Sequence, residues 1–337
     1  MFKKKKAQYR PEYFPLVSLI ILAGNDQKTI AAKLDNCLTL EYPKEKLEII
    51  VAAIDSADNT RKTVEDYFKK SIKLLFQAEK KSSNIVVNSV VSKAKGEVVV
   101  ITDASSLIEK YSLRNMARHF IDKNVGLVAG NIEIVNKGKD YLISGEKIFL
   151  DFQRVVLINS SKLKKIVSVN SELYALRKSD FINLKDDGVD ARTAVPVMYS
   201  YAKKDCLYEP LASAQKTINT DTEVNLEEKI TATVKALASA KYVKELFKAK
   251  KYFTLFQLVS FNLLYGSYGI LLLAFFLYNL TVLGKPGYVI FFSAQFLFYV
   301  AGALKLWPFA YYVTFSAYAH IAGLIRLIKM ESKHGKG

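Results

Sequence analysis

VVVITDASSLIEKYSLRNMARHF, residues 98–120, begins as an apolar strand and stops on Asp103-Ala104-Ser105. Val98 through Ile101 are β-branched and uninterrupted, the pattern of a strand buried on both faces of a sheet. A strand that breaks off at an acidic residue ahead of a helix is a common place for a metal or phosphate site. One carboxylate holds a divalent ion poorly, because Mg²⁺ relies on carboxylates together with substrate phosphates. Ser105 offers an oxygen without a charge, so the pair Asp103 and Ser105 is a candidate metal site of reduced affinity.

Working outward, Val17-Ser18-Leu19-Ile20-Ile21-Leu22 is a second β-rich run, ending at Ala23-Gly24-Asn25-Asp26. Residues 29–40 read as a helix with Ile30, Leu34, Cys37 and Leu38 on one side. Residues 47–54 are apolar again, 60–70 helical, 72–76 extended and 84–95 helical, with Gly96-Glu97 turning into the Val98 strand. Strand alternating with helix at this spacing predicts a mostly parallel sheet with covered faces. Ligands of such open sheets bind beyond the carboxyl ends of the strands. That rule places Asn25, Asp55 and Asp103 on one rim, with Asp26 beside them.

These stretches resemble the family 2 inverting glycosyltransferases, whose nucleotide-sugar-binding domain has the GT-A fold. VSLIILAGNDQKTI is similar to the family's opening strand, YPKEKLEIIV to its second-strand approach, and KAKGEVVVITDAS to its metal-motif strand. ELYALRKSDF, CLYEPLASA and LFQLVSFNLLYG follow in the family's order, so the likeness extends over nearly the whole chain. The resemblance implies a nucleotide-sugar donor, a divalent metal (Mg²⁺ or Mn²⁺) if the chain is active, and a lipid-linked or polysaccharide acceptor. The chemistry is departure of a nucleoside diphosphate as a hydroxyl attacks the anomeric carbon. Lewis-acid neutralisation of the diphosphate and a carboxylate base serve that step.

Position by position, the chain departs from the family pattern. The base-contacting aspartate falls on Ile54, and a slip of one residue gives the role to Asp55. Asn25, Asp26, Asp55 and Asp103 are the nucleotide-binding candidates. Asp103 keeps the first metal-motif acid and Ser105 replaces the second. Ser171, between Asn170 and Glu172, narrows a place where the family keeps small residues. The paired acids that supply the base fall on Ala191 and Arg192, and an arginine stays charged and takes no proton. Asp190, one position early, and Asp187 are the remaining candidates for the catalytic base. The Gln-x-x-Arg-Trp signature is missing from LEEKITATVKALASAKYV.

The composition separates two regions. Half of the residues are hydrophobic and 24% charged, but between Leu255 and Ile328 only Lys285, Lys305 and Arg326 carry charge. Three stretches, about 263–283, 288–304 and 307–328, approach the ~20 apolar residues that cross a bilayer. Three crossings would leave the C-terminus outside, whereas Arg326, Lys329, Lys333 and Lys336 favour the inside; an interfacial or re-entrant segment would reconcile the two. No signal peptide precedes the soluble part, so it is expected in the cytoplasm, with the chain a multi-pass protein of the inner membrane. Cys37 and Cys206 fit a reducing compartment. The net charge of +17 asks for a partner. Lys241, Lys244, Lys248 and Lys251 share a helical face, with Val243, Leu246 and Phe247 turned away, which suits membrane lipids of an anionic leaflet as much as it suits a solvated face. Nucleic acid is not expected as a partner, since no binding motif accompanies the charge.

Other polar residues read as structural. His119 packs or caps, Glu209-Pro210 follows a strand, and His320 and His334 have no ligand at metal spacing. The expected organisation is a basic segment at 1–14, a GT-A-like (Rossmann-like) α/β domain at 15–238, an amphipathic interfacial region at 239–262, about three transmembrane or re-entrant helices at 263–328, and a basic tail at 329–337. Two functions stay open: a membrane-anchored glycosyltransferase, or a catalytically inactive glycosyltransferase-like subunit scaffolding an active partner. A general membrane adaptor is a remoter third.

Overall fold

The computed structural model describes residues 13–54, 56–68, 72–77, 82–136, 140–218 and 221–334. It has two compact units: residues 1–135 with 154–217, and 136–153 with 218–337.

The first unit is built on one eight-stranded sheet in the order β3-β2-β1-β4-β7-β6-β8-β5. Strands β1 (Val17–Ala23), β2 (Leu47–Ile54), β3 (Ile72–Gln77) and β4 (Val98–Asp103) are parallel neighbours. Their residues are apolar at nearly every position because both faces are covered. Val17, Leu19 and Ile21 pack with Ile30, Leu34 and Cys37 of α1 (Ile30–Leu38), Val64 of α2 (Thr60–Glu65), and Leu113 and Met116 of α4 (Ser112–Ala117). Val86, Val87, Val90 and Val91 of α3 (Ser83–Lys93) are also buried. At the start of β4, Gly96 lies so close to β1 that a Cβ there would stand 2.4 Å from the Ser18 amide nitrogen.

Beyond β4 the strand direction changes. β7 (Tyr174–Arg177) is antiparallel to β4 and to β6 (Val125–Ile134), β8 (Asp205–Lys216) is parallel to β6, and β5 (Ser106–Ile108) closes the edge antiparallel to β8. The sheet is parallel in four of its seven pairings, in line with the expected mostly parallel domain. The helix expected over 60–70 is short: α2 ends at Glu65. Helix α5 (Tyr141–Lys162) precedes β7, and α6 (Ala191–Tyr201) follows it.

The second unit contains α7 (Thr222–Ala238), α8 (Lys241–Lys248), α9 (Tyr252–Leu258), α10 (Tyr265–Thr281), α11 (Pro286–Ala303) and α12 (Pro308–His334). A π turn over Val259–Leu264 joins α9 to α10, giving one helix, Tyr252–Thr281, of 30 residues. At ~1.5 Å per residue it is about 45 Å long, more than a ~30 Å hydrocarbon core requires. It is the one described helix long and apolar enough to cross a membrane by itself, and α11 with α12 form a pair bent by 90° that counts as at most one more. The three expected stretches are thus three helices, the last two of which form a bent pair that is either one broken span or a re-entrant loop. Lys305 takes a left-handed conformation (φ 54°), Pro308 can only begin a helix, and Ala310, Ser316, Ala319 and His320 of the third stretch are buried within the protein.

Small residues let these helices approach. A Cβ on Gly269 would stand 2.3 Å from the Ala317 carbonyl oxygen, and one on Gly323 2.7 Å from Thr233, the close packing that glycine permits between apolar helices. Lys229 of α7 pairs with Glu146 at 2.7 Å. On α8, Tyr242 and Leu246 are buried while Phe247 is 61% exposed beside the lysines. Lys251 departs from the expected face, because α8 stops at Lys248 and Lys251 is the N-cap of α9.

Four helices, α5, α6, α8 and α11, end in the same way. Lys164, Lys203, Lys250 and Lys305 have φ of 54–58°, and the amides of Lys165, Lys204, Lys251 and Leu306 reach back five residues to Ser160, Tyr199, Leu246 and Ala301. This is the Schellman termination, with lysine at the position glycine usually takes.

Candidate active site

Of the rim expected from the sequence, Asn25 and Asp26 follow the carboxyl end of β1 and Asp103 ends the neighbouring β4. After β1, the Asn25 Oδ1 accepts the Ala57 amide at 2.9 Å, the Asp26 amide donates to Thr60 Oγ1 at 2.8 Å, and the Ser56 hydroxyl donates to the Gly24 carbonyl at 2.6 Å. These bonds tie the loop after β1 to the loop after β2. Asp26 Oδ2 accepts the Gly24 amide at 2.7 Å. Burial pushes its pKa up, against that amide, and the like charges of Asp103 and Asp58 push the same way. Asp55 lies outside the described residues.

At the end of β4, Asp103 Oδ1 accepts both the Ser105 amide (2.9 Å) and the Ser105 hydroxyl (2.8 Å). Ser105 thus donates its proton inward. The pair offers a metal one carboxylate whose Oδ1 is already doubly hydrogen-bonded and one neutral oxygen, and among the described residues no three His, Cys, Asp or Glu side chains gather as a ligand set. That donor set is too small to hold Mg²⁺ or Mn²⁺ by itself, without the phosphates and waters that complete such an octahedron.

Beneath this rim lies a residue that sequence reading missed. Lys33 of α1 is fully buried, and its Nζ donates to Thr102 Oγ1 at 2.7 Å and to the Ser106 carbonyl at 2.6 Å. Thr102 passes its own proton to the Glu172 carbonyl at 2.7 Å. Burial brings the Lys33 pKa down to about 8, while Cys37, Asp103 and Glu172 draw it upward. Its position was readable in retrospect: Lys33 falls three residues after Ile30 and four before Cys37, inside the apolar stripe of α1.

Glu172, just before β7, is the second missed residue. Its Oε1 accepts Lys216 Nζ at 2.6 Å, and the Ser171 hydroxyl donates to its Oε2 at 3.2 Å. Burial opposes its ionisation, but Lys216 and, farther off, Arg192 hold its pKa below the usual carboxylate value. Asp190 is the N-cap of α6. Its Oδ1 accepts the Arg192 amide and Nε, both at 2.9 Å. Asp187 accepts the Val189 amide at 3.0 Å, in a loop held to α3 by Asn84, which donates to the Lys185 and Val189 carbonyls, and by Asn88, which donates to Leu184. Asp103 and Ser105 are thus joined by hydrogen bonds, with the charge of Asp103 felt at Asp26, while Asp190 is bonded to Arg192, whose charge is felt at Glu172.

His119 and Glu209 form a separate lock. His119 Nε2 lies 2.6 Å and Arg118 Nη2 2.9 Å from Glu209 Oε2. Burial opposes the Glu209 charge, yet these partners bring its pKa down to about 2.

A mixed sheet with acidic residues at the ends of β1 and β4, followed by apolar helices, defines the chain as a GT-A-type protein. Residues 18–184 match the model of glycosyl transferase family 2, and the chain belongs to that family. Among curated relatives, "Probable glycosyltransferase YdaM" of Bacillus subtilis (strain 168) is 28% identical over 172 residues, 49% of this chain and 41% of its own length. The UDP-Glc:alpha-D-GlcNAc-diphosphoundecaprenol beta-1,3-glucosyltransferase WfgD of Escherichia coli is 29% identical over 121 residues, 36% of this chain and 47% of its own. The chain thus spans less than half the length of these relatives. The mannosyltransferase PcManGT from Pyrobaculum calidifontis, solved with GDP-Man and Mn²⁺, shares the fold with a TM-score of 0.70 at 20% identity, covering 96% of this chain and 91% of that one.

Proposed function

We propose that the chain is a membrane-anchored family 2 glycosyltransferase that moves a sugar from a nucleotide-sugar donor to a lipid-linked or polysaccharide acceptor. One observation carries this reading: Asn25, Asp26 and Asp103 stand together at the strand ends where this fold class binds nucleotides. The lipid-linked acceptor is suggested by the diphosphoundecaprenol substrate in the name of the E. coli relative. The helix Tyr252–Thr281 and the bent pair after it are the anchor. The basic face of α8, with Phe247 exposed beside it, lies on an anionic leaflet, and the sheet domain is cytoplasmic.

Within this reading Asp26 and Asp103 position the donor, and Asp190 is the base. Its engagement as a helix cap and with Arg192 must loosen before it accepts a proton. That requirement, with Ser105 in place of an acid, is the specific support for a second reading, in which the chain scaffolds an active partner in a membrane complex. The test is turnover or hydrolysis of a nucleotide-sugar panel by the purified chain in nanodiscs, with and without Mg²⁺ or Mn²⁺. Activity abolished by Asp103→Ala is the expected result. A chain that leaves every donor intact while co-purifying with an active transferase supports the second reading instead.

A further inference from the structure

A divalent ion serves a diphosphate leaving group by placing positive charge at the strand end. In this chain a positive charge is already there. Lys33 sits under Asp103 with no water-exposed surface, and its ammonium donates hydrogen bonds to neutral oxygens of Thr102 and Ser106. No carboxylate is among those acceptors, so the charge is not cancelled in contact; it acts through space on Asp103 and Glu172. A buried ammonium is costly to keep unless something on the rim uses it. The rim has the complementary property: Ser105 removes one negative charge from the pair that would otherwise attract a metal, and one oxygen of the remaining carboxylate, Oδ1, already accepts two hydrogen bonds from Ser105. On the neighbouring elements, Lys216 and Arg192 present side chains that are 35% and 36% exposed, paired to Glu172 and Asp190.

We propose that Lys33 is the resident counter-charge of the β4 rim, and that the chain holds nucleoside diphosphates without a divalent ion. The inference rests on the nucleotide-sugar reading above. Lys33 touches no ligand; it is a positioning residue that sets the potential of the rim and fixes Thr102 and Ser106. A second cation at Asp103 would meet its repulsion in a medium of low effective dielectric, where unit charges interact strongly.

The experiment titrates the full chain in nanodiscs with UDP and GDP, in EDTA and in excess MnCl₂, and separately titrates the protein with Mn²⁺ alone by electron paramagnetic resonance. The expected result is nucleotide binding of equal strength in both buffers, weakened about tenfold in Lys33→Met, the scale of one unit charge acting across roughly 10 Å at an effective dielectric near 20. Mn²⁺ alone is expected to bind neither wild type nor Ser105→Asp, and to bind Ser105→Asp/Lys33→Met. Binding that disappears in EDTA overturns the inference while leaving the sugar-nucleotide site standing. Strong Mn²⁺ binding by Ser105→Asp with Lys33 intact overturns it also, without reference to any nucleotide. No nucleotide bound in either buffer sinks the sugar-nucleotide reading and this inference with it.

Discussion

Thr102 stands between Lys33 and Glu172, accepting the buried ammonium at 2.7 Å and donating to the Glu172 carbonyl at 2.7 Å. One hydroxyl thereby links α1, the end of β4 and the approach to β7. Thr102→Val keeps the shape and removes both bonds. It is expected to destabilise the strand end by about 2 kcal/mol, the cost of leaving buried polar groups unpaired, while Thr102→Ser is close to neutral. Hydrogen exchange of the β4 and β7 amides reads the difference; equal protection in both variants would contradict it.

Gly96 offers a second, independent check. Its missing Cβ is the space in which β1 approaches, with the Ser18 amide 2.4 Å and the Val17 carbonyl carbon 2.8 Å from where that atom would be. Both neighbours are backbone in a central strand and cannot step aside. Gly96→Ala should cost roughly 2 kcal/mol or more by overpacking, seen as a lower thermal midpoint of the detergent-solubilised chain.

The Glu209 lock predicts a pH dependence with a definite sign. Its folded pKa, about 2, lies below the ordinary value of 4.5. Its contribution is therefore complete above pH 4.5 and is lost as pH falls through the folded value. Glu209→Gln should be less stable than wild type at neutral pH by about 2 kcal/mol, and the two should converge as pH approaches 2. Exchange rates of the Tyr208 and Leu211 amides across that range measure it.

The bent pair α11–α12 bears on topology. If it makes one crossing after Tyr252–Thr281, the chain crosses twice, which agrees with the basic residues Arg326, Lys329, Lys333 and Lys336 near the C-terminus. Reporters fused ahead of Met1 and after Gly337 should then face the same side. Opposite sides would mean that the pair enters and leaves without crossing.

What could be read from sequence divides along physical lines. β1, β2 and β4 were legible almost to the residue, because strands covered on both faces are continuous apolar runs bounded by turns. The positions of Asn25, Asp26 and Asp103 at strand ends were legible because the strands that carry them were. The antiparallel return through β7 was not, since strand direction leaves no periodicity in four residues such as Tyr174–Arg177. Lys33 escaped notice because lysine on a helix is ordinarily solvated, and only its place in the stripe with Ile30, Leu34 and Cys37 marks it. The three apolar stretches near the C-terminus were found, but their lengths could not reveal the 90° bend that the left-handed Lys305 and Pro308 impose.

The lysine-terminated helices change how the net charge of +17 should be understood. A left-handed residue other than glycine carries a penalty of about 1 kcal/mol, and a cation near the carboxyl end of a helix recovers about 0.3–1 kcal/mol from the aligned peptide dipoles. Lys164, Lys203, Lys250 and Lys305 each combine the two. Part of the surplus charge is therefore masonry, spent on stopping helices, and only the remainder is left over for recruiting anything from outside.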